Sequence, residues 1–319
     1  MEVNQLVVRY GAMTAVDGVS FKAEAGEVVA LLGPNGAGKT TTIETLEGFR
    51  RPDEGNARVL GLDPWSDHTL LTALVGVLLQ RGGVYPVMTS ERAVRLFAAY
   101  YPDPRDPGEL IDLVGLSSVA RTPYKRLSGG EQQRLALALA LVGKPRVVFF
   151  DEPTAGVDPS GRITVRDVIA GLRHDGVCVI LTSHELDEVQ RMADRIVIID
   201  HGKVVAAGRQ GEIQGESEEL RFAAAPGLAV HELALRLGAA VSEGPPGEYL
   251  VSAAPVPSLV AALAAWLAER DIPLGDLRAG RQRLEDVFLR LISVAGDQPG
   301  LGVGSSQPGR VSRRGRARR

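Results

Sequence analysis

Residues 33–40 read Gly33-Pro34-Asn35-Gly36-Ala37-Gly38-Lys39-Thr40 and follow the apolar run VVALL. No other stretch constrains the fold as tightly. Glycines and a lysine at this spacing match the phosphate-binding loop that joins a buried strand to a helix. Glycine backbone lets successive N–H groups curl around an anion, and the following helix points the positive end of its dipole at the same place. Lys39 would neutralise β and γ phosphates as a point charge. The Thr40 hydroxyl, with Thr41 beside it, would face Mg²⁺. A glycine-rich turn with an exposed lysine is the plain alternative, but it leaves the strand before and the helix after without a purpose.

The rest of the first two thirds agrees with such a loop. VVFF (147–150), VCVIL (177–181) and RIVIID (195–200) are short apolar runs of the kind that form buried parallel strands. Helical stretches follow several of them, so residues 1–211 read as an α/β domain with a mainly parallel sheet. The alternating segment at the start predicts an antiparallel portion. The pattern changes over 212–295, where strands and helices in the order βαββαβ predict a small α+β, ferredoxin-like accessory domain without catalytic groups. Ser258 is expected to cap its second helix. LEDVFLRLI closes the domain as a helix, with Leu284, Val287, Phe288 and Leu291 at i, i+3, i+4 and i+7. That face is expected to bury itself on its own domain or on a sister subunit. Residues 296–319, rich in Gly, Ser, Pro and Arg, read as a disordered tail.

Composition sets outer limits. A hydrophobic fraction of 45 % supports a full core, and a net charge of −3 gives the whole chain no bulk attraction to nucleic acid. The single cysteine, Cys178, rules out an internal disulfide and reads as a buried thiol. The first residues, MEVNQLVVRYG, have no basic start and no long apolar stretch, so no secretion signal is expected there. The longest uncharged stretch, 249–268, is interrupted by Pro255 and Pro257, too short beyond them to span about 30 Å of hydrocarbon. Work at a membrane would need another chain to cross it.

Two further segments carry chemistry. Asp151 and Glu152 end the strand VVFF, and the carboxyl end of a parallel strand is where open α/β sheets bind ligands. Asp151 would hold Mg²⁺, directly or through water, and Glu152 would polarise a water toward a γ-phosphate. Leu127-Ser128-Gly129-Gly130-Glu131-Gln132-Gln133 precedes an apolar helical run. Ser-x-x-Glu is also a helix capping box, and both readings can hold, because a Ser-Gly-Gly helix start is itself an anion site.

With these motifs in this order, residues 2–211 resemble the ATP-binding subunits of ABC transporters. The resemblance implies that Ser128, Gly129, Gly130 and Glu131 bind the γ-phosphate of ATP held by the opposite subunit. It implies that Tyr10 stacks on adenine and that Gln80 senses Mg²⁺ and water. Asp158, in Ala155-Gly156-Val157-Asp158, falls in the D-loop, and His184, after VILTS, is the switch histidine on the γ-phosphate. The other four histidines read as surface residues. LEGFRRPDEG, VGVLLQRGG, RLFAAYY and LEDVFLRL are similar to the daunorubicin-resistance type of exporter ATPase. Glu131 stands where that group often has Gln, and Ser183 where Thr is frequent; neither change removes a catalytic group.

The family implication is an enzyme that binds ATP and Mg²⁺, with Lys39, Gln80, Glu152 and His184 catalytic and Thr40, Gln80 and Asp151 around the metal. One phosphate loop and one signature per chain imply a head-to-tail dimer. A separate transmembrane permease would dock on the surface from about 82 to 101, with Tyr85, Pro86 and Met88 as candidates and Leu96 and Phe97 read as core. The chain would then sit peripherally on the cytoplasmic side of the membrane. Six arginines in 310–319 could touch anionic lipid or be an inert tail. A non-transport ABC ATPase acting on DNA or ribosomes would carry coiled coils or a second cassette. A hydrolysis-deficient switch would lack the groups just named.

Overall fold

The computed structural model of the chain describes residues 1–78, 83–214, 218–281 and 284–296. The first sixty residues supply β1 (Glu2–Tyr10), β2 (Met13–Lys22), β3 (Val28–Leu32), α1 (Lys39–Leu46) and β4 (Glu54–Arg58). The expected antiparallel portion is a three-stranded sheet in the order β2-β1-β4. Strand β3 leaves it for a six-stranded sheet in the order β5-β6-β7-β3-β8-β9. Its other members are β5 (Val75–Leu78), β6 (Val147–Asp151), β7 (Cys178–Thr182), β8 (Arg195–Asp200) and β9 (Lys203–Arg209). All neighbours in it pair parallel except β8 with β9.

Alternation along the strands divides the interior in two. Val29 and Leu31 face a core shared with α1 and the antiparallel sheet, as do Phe149 and Ile180. Val28, Ala30 and Leu32 face the opposite core with Val148, Phe150 and Leu181. Helices α3 (Ser90–Ala98), α4 (Pro107–Leu113), α5 (Gly129–Leu141), α6 (Pro159–His174) and α7 (Leu186–Met192) cover that second face, while the one-turn α2 (His68–Leu71) lies after β4. Burial on both sides explains why these strands read as unbroken apolar runs. Cys178 is buried in the first core, and burial pushes its thiol up to about 11. Strand β7 lies between β3 and β6, so the glycine loop and the Asp151–Glu152 pair leave the same sheet edge roughly 10 Å apart, two strand spacings.

The later elements are α8 (Gln210–Gln214), β10 (Glu218–Ala223), α9 (Val230–Leu237), β11 (Val241–Glu243), β12 (Glu248–Val251), α10 (Pro257–Ala268), β13 (Leu277–Arg281) and α11 (Leu284–Gly296). The run from β10 to β13 is βαββαβ, and its sheet is antiparallel throughout in the order β11-β12-β10-β13. Phe222 stacks on Tyr249 with ring centroids 5.0 Å apart, over Leu220, Val251, Leu263 and Trp266.

The structure departs from the sequence expectations at several points. Helix α10 begins at Pro257 with Val256 as its N-cap, and Ser258 makes no cap; proline at the first position fixes the helical φ earlier. The chain does not leave the first unit at 211, because Ile213 of α8 still packs on its core. The apolar face of α11 lies neither on the small sheet nor exposed. Leu284 belongs to the core beneath α5–α7, with Phe288 and Leu291 packed against it, and α11 contacts α7, α8, β8 and β9. Arg221 of β10 pairs with Asp286 at 3.0 Å and ties that helix back to the small sheet. Leu96 is exposed where core was expected, while Phe97 packs inward. His68 is half-buried against Phe49, unlike the three exposed histidines at 174, 201 and 231. Gln80 and the arginine-rich segment lie outside the described residues.

Candidate active site

The loop after β3 is shaped by what surrounds it. A Cβ on Gly33 would stand 2.1 Å from the Ile199 carbonyl oxygen, and one on Gly38 would stand 2.4 Å from that of Ala15. Glycine is therefore required at both positions by close backbone approach. Gly36 has φ 80° with open space around it, a conformation glycine adopts freely. Lys39 arcs back over its own loop, its Nζ donating to the carbonyls of Gly33 at 2.7 Å and Pro34 at 3.0 Å. Burial lowers its pKa, and the nearby carboxylates of Glu152 and Asp151 oppose that shift. The first turn of α1 leaves N–H groups without intrahelical partners, directed at the loop's concavity.

One hydroxyl organises the two acids at the next strand end. Thr182, last in β7, donates from Oγ1 to Asp151 Oδ1. The same oxygen accepts from the backbone N–H of Glu152 at 3.1 Å. Glu152 has φ 50°, a left-handed conformation that a non-glycine residue keeps only when its surroundings hold it. Its N–H also reaches the Thr182 carbonyl at 3.2 Å, and its own carbonyl accepts from Gln133 Nε2 at 3.2 Å. The pinned carboxylate lies 3.0 Å from His184 Nδ1, through Oε1.

Ser128 is the N-cap of α5 and completes a capping box. Its Oγ accepts from the Glu131 N–H at 3.2 Å, and Glu131 Oε2 accepts from the Ser128 N–H at 2.7 Å. The Glu131 carboxylate is thereby engaged in the cap, while Ser128 and Gly129 stay exposed. Among the described residues no hydrogen bond or ion pair joins 128–131 to 33–41. A Cβ on Gly130 would sit 3.3 Å from Val157 Cα, so the signature rests directly on the 155–158 loop. Asp158 caps α6, accepting from the Gly161 N–H at 3.4 Å; a hydrogen bond from Ser160 holds its carboxyl below the usual range. Tyr10 is 40 % exposed, with the Arg50 guanidinium 4.3 Å over one ring face and its hydroxyl 3.4 Å from Thr41 Oγ1.

The donor set suits a Mg-nucleotide. Gly33 and Gly38 let the loop keep a backbone path packed against the Ile199 and Ala15 carbonyls, which a Cβ at either position would displace. Asp151 and Thr40 offer hard oxygen ligands, and the described residues hold no cluster of three or more His, Cys, Asp or Glu side chains that could bind a metal. A cation here would take the rest of its shell from phosphate and water, as Mg²⁺ does. Thr182 and Gln133 were not singled out from sequence. Each stands inside a motif that was, but the carbonyl or carboxylate it serves is remote in the chain.

A family model described as "ABC transporter" matches residues 16–155. The chain is 35 % identical over 308 residues to the daunorubicin/doxorubicin resistance ATP-binding protein DrrA of Streptomyces peucetius, covering 93 % of each. It is 30 % identical over 315 residues to the linearmycin resistance ATP-binding protein LnrL of Bacillus subtilis (strain 168), covering 91 % of this chain and 97 % of that one. A solved ATP-binding subunit of an ABC transporter superposes with a TM-score of 0.61 at 27 % identity, over 67 % of this chain and 91 % of that one.

Proposed function

We propose, for a chain that belongs to the ABC transporter family as the ATP-hydrolysing subunit of an exporter, that two copies close head to tail on two ATP molecules and drive a separate transmembrane partner. The observation that carries this reading is the sheet edge itself. There the cradle with Lys39 stands beside a Glu152 carboxylate held 3.0 Å from His184 and backed by Thr182.

In this reading residues 33–41 wrap the phosphates, Lys39 neutralises their charge and Tyr10 stacks on adenine with its free face. Thr40, Asp151 and Gln80 would hold Mg²⁺, which when bound polarises the phosphoryl oxygens. Glu152 takes the proton of the attacking water. His184 fixes the glutamate's orientation and reaches the γ-phosphate. Ser128 and Gly129 lie exposed at a helix start, with Gly130 buried behind them, and the three serve the ATP of the sister copy, as does Asp158. Tyr85, Pro86, Val87 and Tyr100 are exposed beside α3 and offer a docking face to the membrane partner; Met88 is half-buried and supports it from below. No helix among the described residues is long and apolar enough to cross a membrane, so a peripheral place on its cytoplasmic side fits a chain that acts on another. The resistance functions in the relatives' names favour a drug-like cargo.

Complementation tests the shared sites. Ser128→Arg and Lys39→Ala should each be inactive alone. Mixed, they form dimers with one composite site whose two elements are both intact and one with neither, and phosphate release should return. A mixture no more active than its components would remove the head-to-tail assignment.

A further inference from the structure

We infer that Arg162 is a positioning residue for ATP hydrolysis, tying the loop that carries His184 to the main chain of the loop that carries Asp158. Arg162 lies in the first turn of α6. Its Nε donates to the Val157 carbonyl at 3.0 Å, its Nη2 donates to Glu185 Oε1 at 2.9 Å, and its Nη1 donates to the other oxygen of the same carboxylate. Three donors of one rigid plane are thereby committed, a geometry that an ammonium cannot reproduce. Glu185 directly follows His184, and its N–H is bound to Ser183 Oγ at 3.0 Å, so the turn from 183 to 185 has little freedom. At the other end, Val157 is buried under Gly130 of the signature. A continuous path therefore runs from Gly130 through the Val157 main chain and the Arg162 guanidinium to Glu185 and the switch histidine. One turn along, Arg166 holds Glu188 with bonds of 3.0 and 3.2 Å and clasps α6 to α7 independently. Loss of Arg162 should accordingly leave the helices packed while freeing His184 from the movement of the signature and D-loop.

This inference rests on the roles proposed above for His184 and Ser128–Gly130, and the test separates the two. The measurement is steady-state Mg-ATP hydrolysis by the full chain, with thermal unfolding recorded alongside. Arg162→Ala is expected to lower kcat about tenfold or more, because a small misplacement of a catalytic group is costly, while KM stays within about twofold. Arg162→Lys should fail to restore it, since shape rather than charge is required. Glu185→Gln should lower kcat with unchanged unfolding, and Arg162→Lys/Glu185→Gln should be no slower than the slower single variant. Should Arg162→Ala not fold, Glu185→Gln and Arg162→Lys carry the test. Wild-type kcat in Arg162→Lys, or losses that multiply in the double variant, would overturn the inference alone, provided Glu152→Gln is slow. Wild-type turnover in Glu152→Gln would overturn the site reading, and this inference with it.

Discussion

Thr182 does more at the active edge than its place in an apolar strand suggests. Its hydroxyl bonds Asp151 and receives the N–H of Glu152, so a single oxygen sets the spacing of the proposed metal ligand and general base. Thr182→Val keeps the shape and removes both bonds. Turnover should fall by about ten- to a hundredfold with nucleotide affinity little changed, measured by phosphate release and nucleotide titration. Glu152→Gln should slow hydrolysis by roughly 10²–10⁴, the worth of a positioned general base, while still binding Mg-ATP. Glu47 at the end of α1 offers a test by pH. Burial, reinforced by Asp151 and Glu44, pushes its carboxyl up to about 8 from the ordinary glutamate value of 4.5. Between these values the folded chain keeps a proton that the unfolded chain has released, so stability falls as pH rises across that window. Glu47→Gln, which stays neutral, should stabilise the nucleotide-free protein at pH 8 by up to a few kcal/mol and by little at pH 5, read from denaturant midpoints.

Among elements, α11 carries the clearest lesson. The stripe Leu284, Val287, Phe288, Leu291 was legible as an apolar helix face, but a stripe does not say which core will cover it. The first unit leaves room beside Val189, Met192 and Ile213, and α11 fills it. Leu284 and Val287 are fully buried and Phe288 only partly, so Leu284→Ala should cost about 2–5 kcal/mol and Phe288→Ala less. The loss should appear as a lower unfolding temperature of the ATP-binding unit, with the small domain's own fluorescence from Trp266 unmoved at the same temperature. The strands and the capping box were legible for a different reason. Burial on both faces writes itself as uninterrupted Val, Ile, Leu and Phe, and a cap needs only residues three apart. Contacts between distant segments, such as Gln133 with the Glu152 carbonyl or Arg162 with Glu185, leave no such local mark.

At the scale of the whole molecule, the phosphate cradle and the signature lie on one chain, and among the described residues no hydrogen bond or ion pair joins them. The capped Ser128–Gly129 helix start is exposed on the surface of the chain. In the proposed dimer the second copy brings its ATP phosphate to this helix start, with ATP as the bridge. Analytical ultracentrifugation of Glu152→Gln tests this most directly, because slow hydrolysis should trap the closed state. With Mg-ATP the variant should sediment as a dimer and without it as a monomer. Glu152→Gln/Ser128→Arg should remain monomeric while binding ATP as tightly as Glu152→Gln alone. A double variant that still dimerises with ATP, or a Glu152→Gln protein that binds ATP and stays monomeric, would contradict the account.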